Sequence, residues 1–187
     1  MRETVLDAAQ KLVQERGLNG VSFQDIADKV GLKKPSLFHH FRSKDALAHA
    51  LMERCRTSYG ARYAQVLSQE GLSEPDRLKK IARLFEEGLK SQHLCLLGAL
   101  SNDSGAFSDE LKADLSKTAS GSIEGYAVLF EAGRDSGTLE FEGTPEEAAS
   151  SFLAMLQGLQ LLARAKGDCD VLYPAALSYI DSISVKK

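Results

Sequence analysis

Residues 21–47 read VSFQDIADKVGLKKPSLFHHFRSKDAL, and the rest of the chain is best interpreted outward from this stretch. It contains two short helical patterns separated by a tight turn. In the first pattern, apolar side chains recur at i, i+3, i+4 and i+7, which predicts one face of an amphipathic helix (Phe23, Ile26, Ala27 and Val30). Ser22 and Asp25 have the spacing of an N-terminal capping box. Gly31 predicts the end of this helix, because a residue there must enter the left-handed region.

A second short helix is predicted after the glycine, with Pro35 near its start, where a proline interrupts no backbone hydrogen bond. At about 100° per residue, one side of this helix carries small or imidazole side chains and the other carries apolar anchors (Ser36, His39 and His40 against Leu37 and Phe41). Cations lie at both ends (Lys33, Lys34, Arg42 and Lys44). This pattern is typical of a helix-turn-helix whose second helix enters a DNA major groove. A packed helical hairpin without a nucleic-acid partner is the alternative.

These residues resemble the DNA-reading segment of the TetR family of bacterial transcription regulators. The family pattern is a Gly, a hydrophobe, a polar pair, a small residue and then Leu-Tyr-x-His-Phe-x-x-Lys-x-x-Leu. This chain fills the pattern in register with Gly31, Leu32, Ser36, Leu37, His40, Phe41, Lys44 and Leu47. Upstream, Ser22, Ile26 and Ala27 match the family's Thr/Ser-x-x-x-Ile-Ala. The resemblance implies an all-α protein: an N-terminal three-helix helix-turn-helix DNA-binding domain, residues 1–47, followed by a helical ligand-binding and dimerisation domain, residues 48–187.

The resemblance also implies which side chains contact double-stranded operator DNA. We expect one group to approach base edges (Lys34, Pro35, Ser36 and His39) and another to hold phosphates (Ser22, Lys33, His40 and Lys44). Phe38 belongs to the same predicted surface but stands where the family has Tyr, so it lacks a hydroxyl that reaches a phosphate in relatives. Lys33 stands where a Ser or Thr usually caps the helix, which removes a cap and adds a cation near DNA.

Composition favours a helical protein without a membrane span. The 187 residues are 43% hydrophobic and 26% charged, and they include neither Trp nor a run of 18 apolar residues. The net charge of −3 is unevenly distributed, since residues 1–54 carry +2 and the remaining residues carry −5. This distribution is expected of a DNA-binding domain joined to a domain that does not bind DNA. Three dispersed cysteines and the lack of a signal-peptide, metal-ligand or cofactor motif predict a cytoplasmic protein without cofactor or metal.

Local signals predict the remaining helices. An apolar stripe over residues 2–16 followed by Gly17 predicts the first helix and its end. Thr144, Pro145 and Glu147 have the pattern of a capping box that opens a strongly apolar helix. By the same criteria we expect five other helices, near residues 44–67, 73–89, 94–100, 108–134 and 171–183.

The last two helices are predicted to form a homodimer interface. The segment FLAMLQGLQLLARA, residues 152–165, is apolar around much of its circumference, and such a helix must be covered on two sides. It is either the central helix of a monomeric core or, as the resemblance implies, part of a four-helix bundle with the two-fold mate.

In the family, the C-terminal domain binds a small molecule that changes the spacing of the two DNA-reading helices. Seven side chains are candidates for lining an apolar pocket, although each also fits ordinary core packing: Phe85, Cys95, Phe107, Tyr126, Phe130, Phe152 and Met155. No cluster of charges in the sequence marks the ligand as an acid, an amine or a metal.

The leading hypothesis is therefore a dimeric repressor that a small-molecule ligand releases from its operator. One alternative is a redox or electrophile sensor, because Leu94–Gly98 resembles a Cys-Leu-Leu-Gly stretch of a TetR subgroup with cysteine sensors, although a thiol between leucines is usually inert. Another is a DNA-bound adaptor for a protein partner. An enzyme is not expected, since no nucleophile–base–orienter set or phosphate-binding loop occurs in the sequence.

Overall fold

The polypeptide folds almost entirely into helices. A computed structural model describes residues 1–185, except for the side chains of residues 58–60. Within that range the α-helices are α1 Arg2–Arg16, α2 Phe23–Val30, α3 Lys34–Phe38, α4 Lys44–Arg54, α5 Gly60–Ser68, α6 Glu74–Lys90, α7 Leu96–Asn102, α8 Asp109–Asp135, α9 Pro145–Lys166 and α10 Leu172–Ile183. The β pairing in this range is an isolated antiparallel bridge between Leu139 and Ser184. In the same range, no helix combines the length and the apolar character that crossing a membrane requires.

Side-chain caps explain where several helices begin. The Ser22 hydroxyl accepts a hydrogen bond from the Asp25 backbone N–H, and the Asp25 carboxylate accepts one from the Ser22 backbone N–H. Thr144 and Glu147 make the same reciprocal pair at the start of α9. At the other end of α2, Gly31 has φ 68° and ψ 29°, in the left-handed region. The predicted capping boxes and the predicted glycine terminus are therefore confirmed.

The long helix predicted from Lys44 contains an irregularity that the sequence did not indicate. A π-helical turn, Cys55–Tyr59, joins α4 to α5, so that helical backbone continues from Lys44 to Ser68 with one widened turn. A π-helical turn inserts one residue into the α-helical register and therefore rotates the apolar stripe on its C-terminal side. Ser43 caps the start as predicted, since its hydroxyl accepts from the Ala46 N–H at 3.0 Å.

The short helix predicted over residues 94–100 was placed two residues too early. It is α7, Leu96–Asn102, and Cys95 is its N-cap residue. The reason is a tertiary contact, because the Leu94 N–H donates to the Gln14 carbonyl at 3.3 Å and the Gln14 side chain donates to the Leu94 carbonyl at 2.7 Å. These two hydrogen bonds hold Leu94 outside the helix.

The first of two compact units comprises residues 1–58 and 92–119. Here α1 packs against α2, α4 and α7. The side chains buried between these helices are mainly aliphatic: Leu6, Val13, Ile26, Leu37, Leu47, Leu51, Leu96 and Leu100. The predicted domain boundary at residue 47 concerns the division of function and stays a prediction.

The second compact unit comprises residues 59–91 and 120–187, of which residues up to 185 are described. In it α6 packs against α9 and α10. Its core is richer in aromatic side chains, with the buried set Leu78, Ile81, Phe85, Phe130, Phe152, Leu156 and Ile180. At its C-terminal end, backbone hydrogen bonds join residues 138–140 to residues 183–185 on either side of the isolated bridge.

Candidate nucleic-acid interface

Two short helices, α2 and α3, form the centre of the candidate interface. They are joined by residues 31–33, and the Leu32 N–H closes the turn by donating to the Ala27 carbonyl at 2.9 Å. Leu37, on the inner side of α3, is fully buried, and Phe41, three residues after the helix ends, is 2% exposed. These two anchors determine which side of α3 faces outward.

The outer side of α3 carries the residues that the sequence assigned to DNA. Lys33, Lys34, Pro35, Phe38 and His39 are exposed, and Ser36 and His40 are half-buried. The side chains predicted to face outward and the anchors predicted to face inward are thus separated as expected. Whether any of them contacts DNA stays a prediction.

The second helix is shorter than the pattern indicated. It ends at Phe38, and His39 and His40 lie in the turn that follows. The chain remains coiled there, since His39 has φ −70° and ψ −26° and the Phe41 N–H donates to the Leu37 carbonyl at 2.9 Å. Lys33 is the N-cap residue and makes no side-chain capping hydrogen bond, as its departure from Ser or Thr predicted.

An aromatic contact that the sequence analysis missed joins the two helices. The rings of Phe23 and Phe38 lie 4.9 Å apart between centroids, with an interplanar angle of 38°. Phe38 is nevertheless 42% exposed. Its ring therefore packs on α2 while part of the side chain remains available to solvent, so the residue has a structural role besides the predicted one. The signal for this pair was weak, because aromatic side chains fifteen positions apart have no fixed geometric relation.

Two of the predicted phosphate contacts already have partners within the protein. The Ser22 hydroxyl donates to the Asp25 carboxylate at 2.5 Å, and this bond, with the one from the Ser22 backbone, lowers the pKa of Asp25. Lys44 is half-buried, and its ammonium donates to the carbonyls of Leu18 at 3.2 Å and Asn19 at 3.5 Å. A hydroxyl has one proton to donate, so a phosphate contact by Ser22 requires that proton to be redirected. An ammonium has three, and Lys44 can keep its carbonyls and still meet a phosphate.

The predicted pocket residues fall into two groups. Tyr126, Phe130 and Phe152 come together in the second unit, with ring centroids 5.8 Å and 5.9 Å from Phe152 in edge-to-face geometry. Phe85 and Met155 belong to the same unit, whereas Cys95 and Phe107 belong to the first. Three other rings join the aromatic cluster and were not predicted: Tyr63, Phe141 and Tyr179.

A second cysteine lies near Cys95. Burial, with a smaller contribution from the nearby Cys95, raises the pKa of the Cys55 thiol to about 12, against the opposing effects of Arg56 and of a hydrogen bond from the Leu97 backbone. Cys55 is 8% exposed and Cys95 is half-buried. Cys55 therefore stays a neutral thiol at physiological pH.

Comparison with known proteins gives consistent results. Residues 5–51 match the family model described as "Bacterial regulatory proteins, tetR family". Over 187 aligned residues the chain is 27% identical to the HTH-type transcriptional repressor NemR of Escherichia coli K12, covering 97% of this chain and 92% of that one. Its fold is similar to a TetR-family regulator from Agrobacterium tumefaciens (TM-score 0.92, 23% identity, 98% and 97% coverage). It is also similar to E. coli NemR in its reduced form (TM-score 0.82, 27% identity, 100% and 97% coverage).

Proposed function

Because the chain belongs to the TetR family of bacterial regulatory proteins, we propose that it is a dimeric repressor of transcription that a small molecule releases from operator DNA. The observation that carries the proposal is the outer side of α3. A helix buried through Leu37 presents Lys34, Pro35 and His39 to solvent. Such a side fits a major groove, where base edges offer acceptors to cations and imidazoles and a methyl group to proline.

The proposed roles follow the sequence assignment. Lys34, Pro35, Ser36 and His39 read base edges, while Lys33, His40 and Lys44 hold phosphates. Ser22 supports this set by capping α2. Its hydroxyl can donate to a phosphate only if it gives up the hydrogen bond that it donates to the Asp25 carboxylate. Phe38 packs against Phe23 on α2 and offers the exposed part of its ring to a sugar or base edge.

The proposed dimer forms through α9 and α10. Leu161 and Leu162 are adjacent on α9 and each is 59% exposed, which favours a partner surface over solvent at this point. A two-fold dimer presents two copies of α3 to half-sites about one helical turn apart. The proposed ligand site is among Phe85, Tyr126, Phe130, Phe152 and Met155. A ligand bound there changes DNA binding only if the dimer has two conformations that differ in the distance between its two α3 helices, and only if the ligand binds one conformation more tightly than the other.

A gel-shift titration on the DNA flanking the chain's own gene tests the proposal. We expect salt-dependent, sequence-specific binding by the full-length protein, because phosphate contacts release counterions and base contacts select the site. Ser36→Ala combined with His39→Ala removes two base-reading side chains without touching the buried anchors. Its binding should weaken at least about 30-fold, since each of the two lost base contacts is worth about 1–3 kcal/mol.

The matched control is Ser116→Ala combined with Lys117→Ala, two exposed residues on α8. It should bind like the wild type. Equal losses in both double variants, or binding by the wild type that ignores sequence, would contradict the proposal. Binding without sequence preference would instead favour the adaptor hypothesis.

The partial exposure of Cys95 supports a second candidate, a repressor released by electrophiles, because a reagent can reach a half-buried sulfur. The Cys95 sulfur would add to an alkene conjugated to a carbonyl, forming one S–C bond while the thiol proton moves to the neighbouring carbon. The same gel shift after treatment with N-ethylmaleimide decides between the candidates. Loss of binding that Cys95→Ala prevents, but Cys169→Ala does not, favours this second candidate.

A further inference from the structure

Helix α7 is attached to the N-terminal helices by polar contacts at both of its ends. Just before it, Leu94 and Gln14 exchange two hydrogen bonds, at 2.7 Å and 3.3 Å. Just after it, the C-cap residue Asp103 accepts hydrogen bonds from Asn19. All of these residues belong to the first compact unit. Asp103 and Asn19 are 84 positions apart, so no local pattern in the sequence relates them.

The Asp103 carboxylate holds the loop between α1 and α2 with both of its oxygens. Oδ2 accepts from the Asn19 backbone N–H at 3.0 Å, and Oδ1 accepts from the Asn19 side-chain amide at 3.1 Å. The loop is shaped around this carboxylate at Gly17, whose φ is +77° and where an added Cβ would lie 2.8 Å from Oδ2. Only a glycine combines that backbone angle with that close approach.

This loop leads directly into the helix-turn-helix. It is followed by the Ser22–Asp25 capping box that starts α2, and Leu18 and Val21 fix its two ends in the core, at 3% and 2% exposure. From the other side, the Lys44 ammonium donates to the Leu18 carbonyl. Thus the start of α2 is positioned by one cation from α4 and one carboxylate from the end of α7.

We propose that Asp103 is a positioning residue for DNA binding: its carboxylate fixes the loop at residues 17–20, and through that loop the entry of α2. The inference rests on the proposed function and extends it to regulation. A displacement of α7 must either carry the loop with it or break the two bonds to Asn19. The loop is therefore one route by which a change near α7, including one at Cys95, can reach the DNA-reading helices, beside the packing of α7 on α1 and α4.

Two variants of Asp103 distinguish its role in positioning the loop from the effect of its negative charge on DNA affinity. Asp103→Ala removes both bonds and the negative charge. Asp103→Asn removes the charge but retains both bonds, because its oxygen can accept from the Asn19 N–H and its amide can donate to a rotated Asn19 side chain. Glu110→Ala is the charge control, since it removes an exposed carboxylate from α8. If Asp103 acts only by repelling DNA, all three changes tighten binding slightly.

The experiment measures the DNA affinity of full-length variants in the gel shift, together with hydrogen–deuterium exchange over residues 17–25. We expect Asp103→Ala to weaken binding about tenfold, the equivalent of one to two net hydrogen bonds, and to raise exchange at the Asn19 amide. Asp103→Asn should match the wild type within about twofold in affinity and should retain the protection.

Tighter binding by Asp103→Ala, or unchanged exchange in the loop, would overturn the inference. If the wild type binds no DNA, the proposed function fails, while the exchange measurement still decides whether Asp103 holds the loop. If Asp103→Ala does not fold, Asn19→Ala serves instead. It lies at an exposed loop position and removes only the hydrogen bond from the Asn19 side-chain amide to Asp103, so it should weaken DNA binding and raise amide exchange by smaller amounts.

Discussion

At the scale of single residues, the polar contacts that join distant segments were the least predictable feature. Asp114 accepts from His49 Nδ1 at 2.7 Å and from Arg56 Nη1 at 2.6 Å, and its side chain is 17% exposed. These partners lie 65 and 58 positions away, so no local pattern reveals them. By contrast, the outward or inward direction of Leu37, His39 and Phe41 followed from helical spacing, because it depends on neighbours within one turn.

Asp114 gives the prediction at this scale. Burial by itself raises the pKa of this carboxyl, but hydrogen bonds from His49 and Arg56 outweigh it and lower the pKa below the ordinary value of 3.8. A lowered folded-state pKa contributes stability above the unfolded pKa, and that stability is lost as pH falls through the folded pKa. Asp114→Asn should therefore cost about 2 kcal/mol of unfolding free energy at pH 7, and less below pH ~4.

Urea denaturation of both proteins at several pH values measures this difference. Asp135→Asn, an exposed carboxylate on the same helix, is the control and should change stability by less than about 0.5 kcal/mol. An equal cost for Asp114→Asn at pH 7 and pH ~3 would show that packing, not charge, accounts for the loss.

At the scale of helices, the sequence predicted where helices begin better than where they are interrupted or end. The starts of α2, α4 and α9 were predicted correctly because a cap and its partner are within three residues of each other. The late start of α7 and the π-helical turn at Cys55–Tyr59 were not, since the first depends on hydrogen bonds to Gln14, 80 positions away, and no local pattern marks the second. The end of α3 at Phe38 was not predicted either.

The capping box of α9 provides the prediction for this scale. Thr144→Ala leaves the Glu147 backbone N–H without its side-chain acceptor and should destabilise the protein by about 1 kcal/mol. Ser151→Ala, at an exposed position inside the same helix, should be neutral or slightly stabilising because alanine favours helix interiors. Thermal melting compares the two, and similar melting temperatures would refute a role for the cap.

At the scale of the whole molecule, the uneven charge and the exposed apolar side chains indicate two different surfaces. The sequence predicted a mildly basic N-terminal part and an apolar α9, and the exposure of Leu161 and Leu162 agrees with the second point. The sequence could not predict that residues 92–119 pack with the first 58 residues, because that grouping depends on long-range contacts.

The proposed dimer gives the prediction for this scale. Leu161→Glu combined with Leu162→Glu should convert a dimer of two 20.3 kDa chains into a monomer, because each protomer would bury two carboxylates in an apolar interface. Val128→Glu is the matched control, since Val128 on α8 is 61% exposed but lies outside the proposed interface. Sedimentation velocity distinguishes the species. A monomeric wild type, or dissociation caused only by Val128→Glu, would exclude an interface through α9.

The ring contact between Phe23 and Phe38 also bears on how such a protein can diverge. An aromatic ring at position 38 satisfies the scaffold whether or not it carries a hydroxyl group. Replacement between phenylalanine and tyrosine at this place therefore adds or removes one hydroxyl group while the contact between α2 and α3 is kept. A sequence pattern that requires tyrosine there will overlook proteins that carry phenylalanine, as this chain does.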